Sequence, residues 1–332
     1  MKLFAAAALV ALVGASGCGR SKGESIKLTN EGNTAYGQKS FETAIERFDK
    51  ATKLWEGNHT AWYGMGGAYS MRKDWDKSAD AFQHAVNEAP EQAMYQMMFG
   101  VALYNKAIDS ARKEQAARAN KKPEEFDPDL SGVNFSKPLQ HLQEAVKLNS
   151  DLWRAHYYIG RIYRDTNESK KAAEALTKAV SYAPPEAQPW MALAELYRGW
   201  DYSKEALAVA QQGVNAVPGA GDKGDLLFVV GMANDDMRND EKAIEAFDDA
   251  LKEKPDHHKA KFQRGQAYFR KGDLAKAKKD LEEFSKAGGA SLEYEKQQAQ
   301  KMLLDIAAKS ATQANTPTEK PSPEDLVKKG KG

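Results

Sequence analysis

From Ser25 to about residue 309, apolar positions recur at helical spacing, and the pattern restarts at a fixed interval. In the stretch from His59 the signal falls at Trp62, Met65, Gly66 and Tyr69, then at Ser78, Phe82 and Ala85, with Pro90 beyond. Steps of three and four place the first set on one face of a helix and the second set on one face of another. Between them the polar run from Arg72 to Ser78 supplies a turn and a helix cap. Pro90 stops the second helix, because proline cannot continue a helix interior. The predicted element is a helix, a turn and a second helix.

With His59 as position 1, the signature occupies positions 4, 7, 8, 11, 20, 24, 27 and 32. The frame repeats from Trp153 (Ile159, Gly160, Tyr163, Ala172, Leu176, Ala179, Pro184) and from Ala187 (Trp190, Leu193, Ala194, Tyr197, Ala206, Ala210, Gly213, Pro218). It repeats from Gly224 (Val230, Gly231, Ala243, Phe247, Ala250, Pro255) and from His258 (Gly265, Tyr268, Ala277, Leu281). A first copy starts at Ser25, with Gly32, Ala35, Ala44, Phe48 and Ala51 and no closing proline. The third copy starts near Ala93 with Gly100 in place, but its second helix appears only at Leu142 and Ala145. An insertion of about 26 residues, over 105–135, separates its halves. "KAIDSARKEQAARAN" predicts an extension of the first helix, and "KKPEEFDPDLSGVNF" an exposed loop. "SLEYEKQQAQKMLLDIAAK" predicts a terminal helix that caps the array, and 310–332 reads as a disordered tail.

The order Trp-x2-apolar-Gly-x2-Tyr, then small, Phe, Ala and Pro, resembles the tetratricopeptide repeat, a unit of about 34 residues. The resemblance covers about 25–290 and implies an all-α solenoid of about seven repeats with a C-terminal capping helix, the whole body spanning 25–309. It implies partners that are proteins or peptide segments lying in a concave groove. Positions 5, 9 and 12 of each first helix line that groove in the family. The position-5 ladder is Thr29, Tyr63, Met97, Tyr157, Met191, Phe228 and Phe262. Positions 9 and 12 add Asn33 and Tyr36, Arg161 and Arg164, Glu195 and Arg198, Gln266 and Phe269. The groove set is therefore Tyr63, Met97, Tyr157, Arg161, Arg164, Met191, Arg198, Phe228, Phe262 and Phe269, with Arg161 and Arg164 placed to grip a carboxylate. The Lys/Asn clamp of the family's chaperone-tail binders is absent.

The N-terminus adds a location. Lys2, an apolar run from Leu3 to Val13 and small residues Gly14 to Gly17 have the layout of a secretory signal, too short to span a bilayer. Cys18 is the only cysteine. Ala15-Ser16-Gly17-Cys18 resembles the bacterial lipobox, with Ala15 where Leu is usual. That resemblance implies a signal peptide over 1–17, an acylated (palmitate-bearing) Cys18 and a tether over 18–24. Gly19 after the cysteine favours the outer membrane, with the protein facing the periplasm. With Lys+Arg at 48 and Asp+Glu at 47, the chain gives no electrostatic case for nucleic acid.

Catalytic chemistry is thin. The histidines form no His-Glu-x-x-His arrangement, and His257-His258 falls at a repeat junction. "GMGG" at 64–67 lies within a predicted helix and reads as helix packing. "DPDLSG" offers Asp127, Asp129 and Ser131 as the first half of a calcium loop, but the closing ligand falls on Pro138. The expectation is no enzyme, no cofactor, no metal and no small-molecule substrate. The function expected is a membrane-anchored protein–protein interaction scaffold for a cell-envelope machine of the pilus, motility or outer-membrane assembly type. The alternative is an accessory lipoprotein that recruits or regulates a peptidoglycan hydrolase or a protease.

Overall fold

The polar turns reverse the chain through one residue in the left-handed region. Lys39, Lys73, Asn167, Asp201, Arg238 and Gly272 hold φ between 59° and 80°. Only the last is glycine, so the other five turns accept a strained backbone. In a computed structural model, which describes residues 4–286 and 292–314, these turns join helices in pairs. α1 (Phe4–Gly37) pairs with α2 (Phe41–Leu54) and α3 (His59–Met71) with α4 (Trp75–Glu88), while α5 (Ala93–Arg118) pairs with α6 (Ser136–Leu148) across the insertion rather than through such a turn. α7 (Trp153–Asp165) pairs with α8 (Ser169–Ser181), α9 (Ala187–Gly199) with α10 (Ser203–Ala216), α11 (Ala220–Asp236) with α12 (Asp240–Glu253), and α13 (His258–Lys271) with α14 (Leu274–Ser285). α15 (Glu293–Ala314) packs on α14. No strand occurs among the described residues, and the fold is the expected all-α repeat.

The chain divides into an N-terminal unit, Met1–Pro184, and a C-terminal unit, Pro185–Gly332. In the N-terminal unit each first helix touches its second helix through a glycine at position 8. A Cβ on Gly32 would lie 2.6 Å from the Phe48 ring, one on Gly66 2.7 Å from Phe82, and one on Gly160 2.6 Å from Leu176. The "GMGG" run serves the same end, since a Cβ on Gly64 would lie 2.5 Å from the Phe48 ring as well. Asn58 and Asp74 cap α3 and α4 by accepting from the amides of Ala61 and Lys77. Asn58 also donates to Ser25 Oγ at 2.8 Å and Thr29 Oγ1 at 3.0 Å, while Ser25 Oγ donates to the Ala51 carbonyl at 2.7 Å. This buried network ties α1, α2 and α3 together. It also anchors α1 at Ser25, and from such a nucleus each further residue adds one helical hydrogen bond. Residues 18–24, expected as a tether, are accordingly helical.

The insertion also differs from expectation. α5 extends to Arg118 as predicted, but the loop after it is pinned to the helix. The Gln115 amide accepts from Asp129 N at 2.8 Å and donates to Asp129 O at 2.7 Å. Leu130, Val133 and Phe135 join Tyr104, Ala107 and Ile108 in one apolar cluster. Asp129 Oδ1 is taken by the Ser131 amide at 2.9 Å, so it holds a turn of its own loop.

In the C-terminal unit, Gly231 faces Phe247 and Gly265 faces Leu281. The fifth repeat solves the contact differently: Ala194 and Ala210, both fully buried, share one cluster. α15 covers the far end with Ala299 and Ile306, which join Leu281, Phe284 and Leu292, the residue just before α15, in one cluster. It runs through Ala314, past the expected start of a disordered tail at Ser310; residues 315–332 lie outside the described residues. Among the described residues, no helix is long and apolar enough to cross a membrane.

α13 is capped by a histidine. His257 Nδ1 accepts from the Ala260 amide at 3.1 Å, which requires the neutral ring. Burial pushes the His257 pKa below its ordinary 6.5, against the pull of Asp225. Because the folded value is the lower one, the unfolded chain takes up the proton first. The stability from this cap is full above the ordinary value and is lost as pH falls through the folded value. Lowering the pH from 7.5 to 5 should therefore cost α13 about 1 kcal/mol of local stability, and His257→Asn should remove that pH dependence. Hydrogen exchange of the Ala260 and Lys261 amides reads it directly.

Candidate protein-interaction surface

Two clusters form where first helices of the N-terminal unit lie side by side. The first centres on Tyr63 of α3. Its ring stacks on Tyr95 of α5 at 4.7 Å and tilts against Phe82 at 5.6 Å. Burial pushes the Tyr63 phenol pKa up, helped by the neighbouring Tyr95 and Tyr36. Tyr95 OH lies 2.9 Å from His59 Nδ1, which fixes the stacked partner. A hollow of about 210 Å³ opens beside the rings, lined by Asn33, Tyr36, Tyr63, Gly67, Phe82 and Met98. Gly67 gives it depth, since a Cβ there would lie 3.7 Å from the Tyr36 ring.

The second cluster centres on Arg161 of α7. Its guanidinium carbon lies 5.1, 5.7 and 5.6 Å from the ring centroids of Tyr104, Tyr157 and Tyr158. Each such contact holds a cation through the ring quadrupole and leaves the N–H donors unspent. Tyr104 is fully buried, which pushes its phenol pKa far up, and it donates to Asp165 Oδ2 at 2.5 Å. Arg164 takes Asp165 Oδ1 with Nε at 3.2 Å and Nη2 at 3.0 Å. Both oxygens of the nearest carboxylate are thus occupied. Arg161 is left half-buried, fixed by aromatic faces, with no hydrogen bond or ion pair among the described residues. A guanidinium so placed can receive a carboxylate through two parallel hydrogen bonds.

The expected groove set splits under these contacts. Tyr63, Tyr157 and Arg161 are half-buried and shape the two clusters. Met97 and Phe262 are corrected: they are 2% and 3% exposed and offer no surface. Met97 is enclosed with Leu142, Ala155 and Ile159 because α7 lies against it, and Phe262 is enclosed by Phe284 and the capping helix. Arg164 keeps its guanidinium on Asp165, and Arg198 holds Asp236 at 2.5 and 3.0 Å, so both serve the chain's own carboxylates. In the C-terminal unit, Met191 packs on the core around Ala194, and Phe228 lies between Phe247 and His257. Phe269 sits under Lys309 of α15 at 4.4 Å. Cys18 lies outside the residues whose side chains are described.

Tyr95, Tyr104 and Tyr158 were missing from the expected set. The repeat frame itself places Tyr104 at position 12 of the third repeat. The insertion hid it, because Phe135 closes over its ring at 5.3 Å.

A tetratricopeptide-repeat profile matches residues 29–93 and 233–287, and a second profile of the same description matches 154–186. No curated protein sequence matches the chain. Among solved structures, PilW, a widely conserved type IV pilus biogenesis factor, is similar at a TM-score of 0.52 and 16% identity, over 70% of this chain and 94% of that one. PilF of Pseudomonas aeruginosa gives 0.53 and 11%, over 73% and 96%. The Cut9–Hcn1 hetero-tetramer of the APC/C gives 0.53 and 13%, over 74% and 42%. At these identities the likeness is one of fold.

Proposed function

Because this chain belongs to the tetratricopeptide-repeat family and has its all-α solenoid fold, we propose that it is a non-catalytic scaffold that binds a partner polypeptide on the first-helix face of its N-terminal unit. The observation that carries this reading is Arg161: a half-buried guanidinium, caged by Tyr104, Tyr157 and Tyr158, with its donors free. The partner's contribution is a carboxylate, from an acidic side chain or a chain end, flanked by apolar groups that pack on the tyrosines. The proposal extends to location. Acylated Cys18 holds the protein at the bacterial outer membrane, facing the periplasm, where it assembles or positions an envelope machine. PilW, with the same fold, is a pilus biogenesis factor, which supports that setting.

Affinity purification of the mature protein from detergent-solubilised membranes tests the first part. Tyr157→Ala with Arg161→Ala is expected to lower recovery of the envelope partner by about tenfold or more, with helix content unchanged. Unchanged recovery removes this surface from the proposal. For the anchor, Cys18→Ser should release the protein from the membrane fraction or leave its precursor uncleaved. A variant that still sediments with the outer membrane at the mature mass shows that lipid does not hold it.

A further inference from the structure

In three repeats the lysine at position 19 lies over the tyrosine at position 11: Lys77 over Tyr69 at 5.4 Å, Lys171 over Tyr163 at 5.2 Å, and Lys276 over Tyr268 at 5.1 Å. The sixth repeat keeps the lysine, Lys242, but has Asn234 where the ring belongs. Its position 4 is smaller too, with Leu227 where the second and fifth repeats have Trp62 and Trp190. Positions 4, 7 and 11 share one helix face, so one stripe of α11 lacks two rings. A cavity of about 530 Å³ opens there, bounded by Leu227, Val230 and Asn234, by Val214 of α10 and by Lys242 of α12.

One residue lining this cavity carries an unmet demand. Asn234 is 4% exposed, and its Nδ2 donates to the Val230 carbonyl at 2.9 Å. Its Oδ1 is buried with no hydrogen-bond partner among the described residues. Flipping the amide does not help, because the nitrogen must face the Val230 carbonyl. A buried acceptor left unpaired is costly, and a ligand that brings a donor relieves it. Lys242 has neither a ring nor a carboxylate among the described residues. Glu245 and Asp249 also line the cavity and disfavour an anion, while Lys242 disfavours a cation.

We propose that this cavity binds an aromatic group carrying an O–H or N–H donor, a phenol or an indole. The donor hydrogen-bonds to Asn234 Oδ1, and the ring fills the vacated stripe of α11 beneath the Lys242 ammonium. The site uses other helices than the Arg161 surface and does not depend on that reading.

The probes are p-cresol and toluene, which share a ring and differ by one hydroxyl. Titrated into the full-length protein and followed by NMR, p-cresol should bind about tenfold tighter than toluene or better. Asn234→Leu should abolish that difference. Asn234→Tyr restores the family's ring and should abolish p-cresol binding and raise the unfolding temperature; the Leu variant keeps the test decisive if the Tyr variant does not fold. N-acetyl-tyrosinamide separates two sources of the same chemistry. Binding as tight as p-cresol assigns the site to a partner's tyrosine, and exclusion assigns it to a free phenol. Equal affinity for p-cresol and toluene overturns the proposal. So does p-cresol binding that survives in folded Asn234→Tyr, or a cavity that takes neither probe and leaves Oδ1 to water.

Discussion

Phe247→Ala should lower the local stability of the α11–α12 pair by about 4 kcal/mol. Phe247 is fully buried, and its ring fills the space that Gly231 leaves by having no side chain. Deleting the ring removes its transfer free energy and leaves a void against Ala243, Ala250 and Ala260, which are too small to close it. Gly231→Ala should cost about 2 kcal/mol for the opposite reason, because its methyl overlaps the Phe247 ring. The double variant, Gly231→Ala with Phe247→Ala, should lose clearly less than the sum, since the added methyl enters the vacated space. The fifth repeat already uses that solution in Ala194 and Ala210. Repeat arrays open locally, so hydrogen exchange of the α11 and α12 amides is the measurement to make. Strict additivity of the three values would show that the two positions do not share one space.

Asp280→Ala should cost the α13–α14 pair roughly 3 kcal/mol. Asp280, with its side chain 4% exposed, accepts from Arg264 Nε at 2.7 Å and Nη2 at 2.6 Å, and Asp248 accepts from Nη1 at 2.6 Å. Burial works against the Arg264 charge, and the two carboxylates outweigh it, so its pKa is raised. Removing Asp280 leaves a largely buried cation half compensated. These residues occupy positions 7 and 23, which elsewhere hold apolar pairs such as Met65 and Ala81, or Val230 and Ala246. Arg264→Leu with Asp280→Ala should therefore be near neutral or stabilising, because no charge then needs solvation. A double variant as unstable as Asp280→Ala alone would contradict this account. The first repeat carries the mirror pair, Glu31 and Arg47, at the same two positions, 3.3 Å apart and far more exposed. Polar pairs at these positions thus mark the two terminal repeats, whose outer neighbours differ from those inside the array.

The architecture was legible because it is local. Paired helices, polar turns and closing prolines act within about 34 residues, and α2, α4, α7, α8, α12 and α14 lie where the frame sets them. The interaction surface was legible only in part. Periodicity names a helix face but cannot tell whether the next helix covers it, and so Met97 and Phe262 were placed in a groove that does not contain them. Arg161 and Arg164 look equivalent in sequence, three residues apart on one face. Asp165 distinguishes them, because its two oxygens are consumed by Arg164 and by Tyr104, which is distant in sequence.

The sequence alone determined the helix pairing, the number of repeats and the glycine at position 8 that each large position-24 side chain requires, because those constraints are steric and short in range. The tertiary structure alone decided which charges are spent and which are free. It closed the insertion over Tyr104, buried Met97 under α7, left the Arg161 donors open and orphaned Asn234 Oδ1 in the space of a missing ring. Each of these outcomes is a balance between burial and hydrogen-bond supply, and that balance is set by residues that meet only after the helices have stacked.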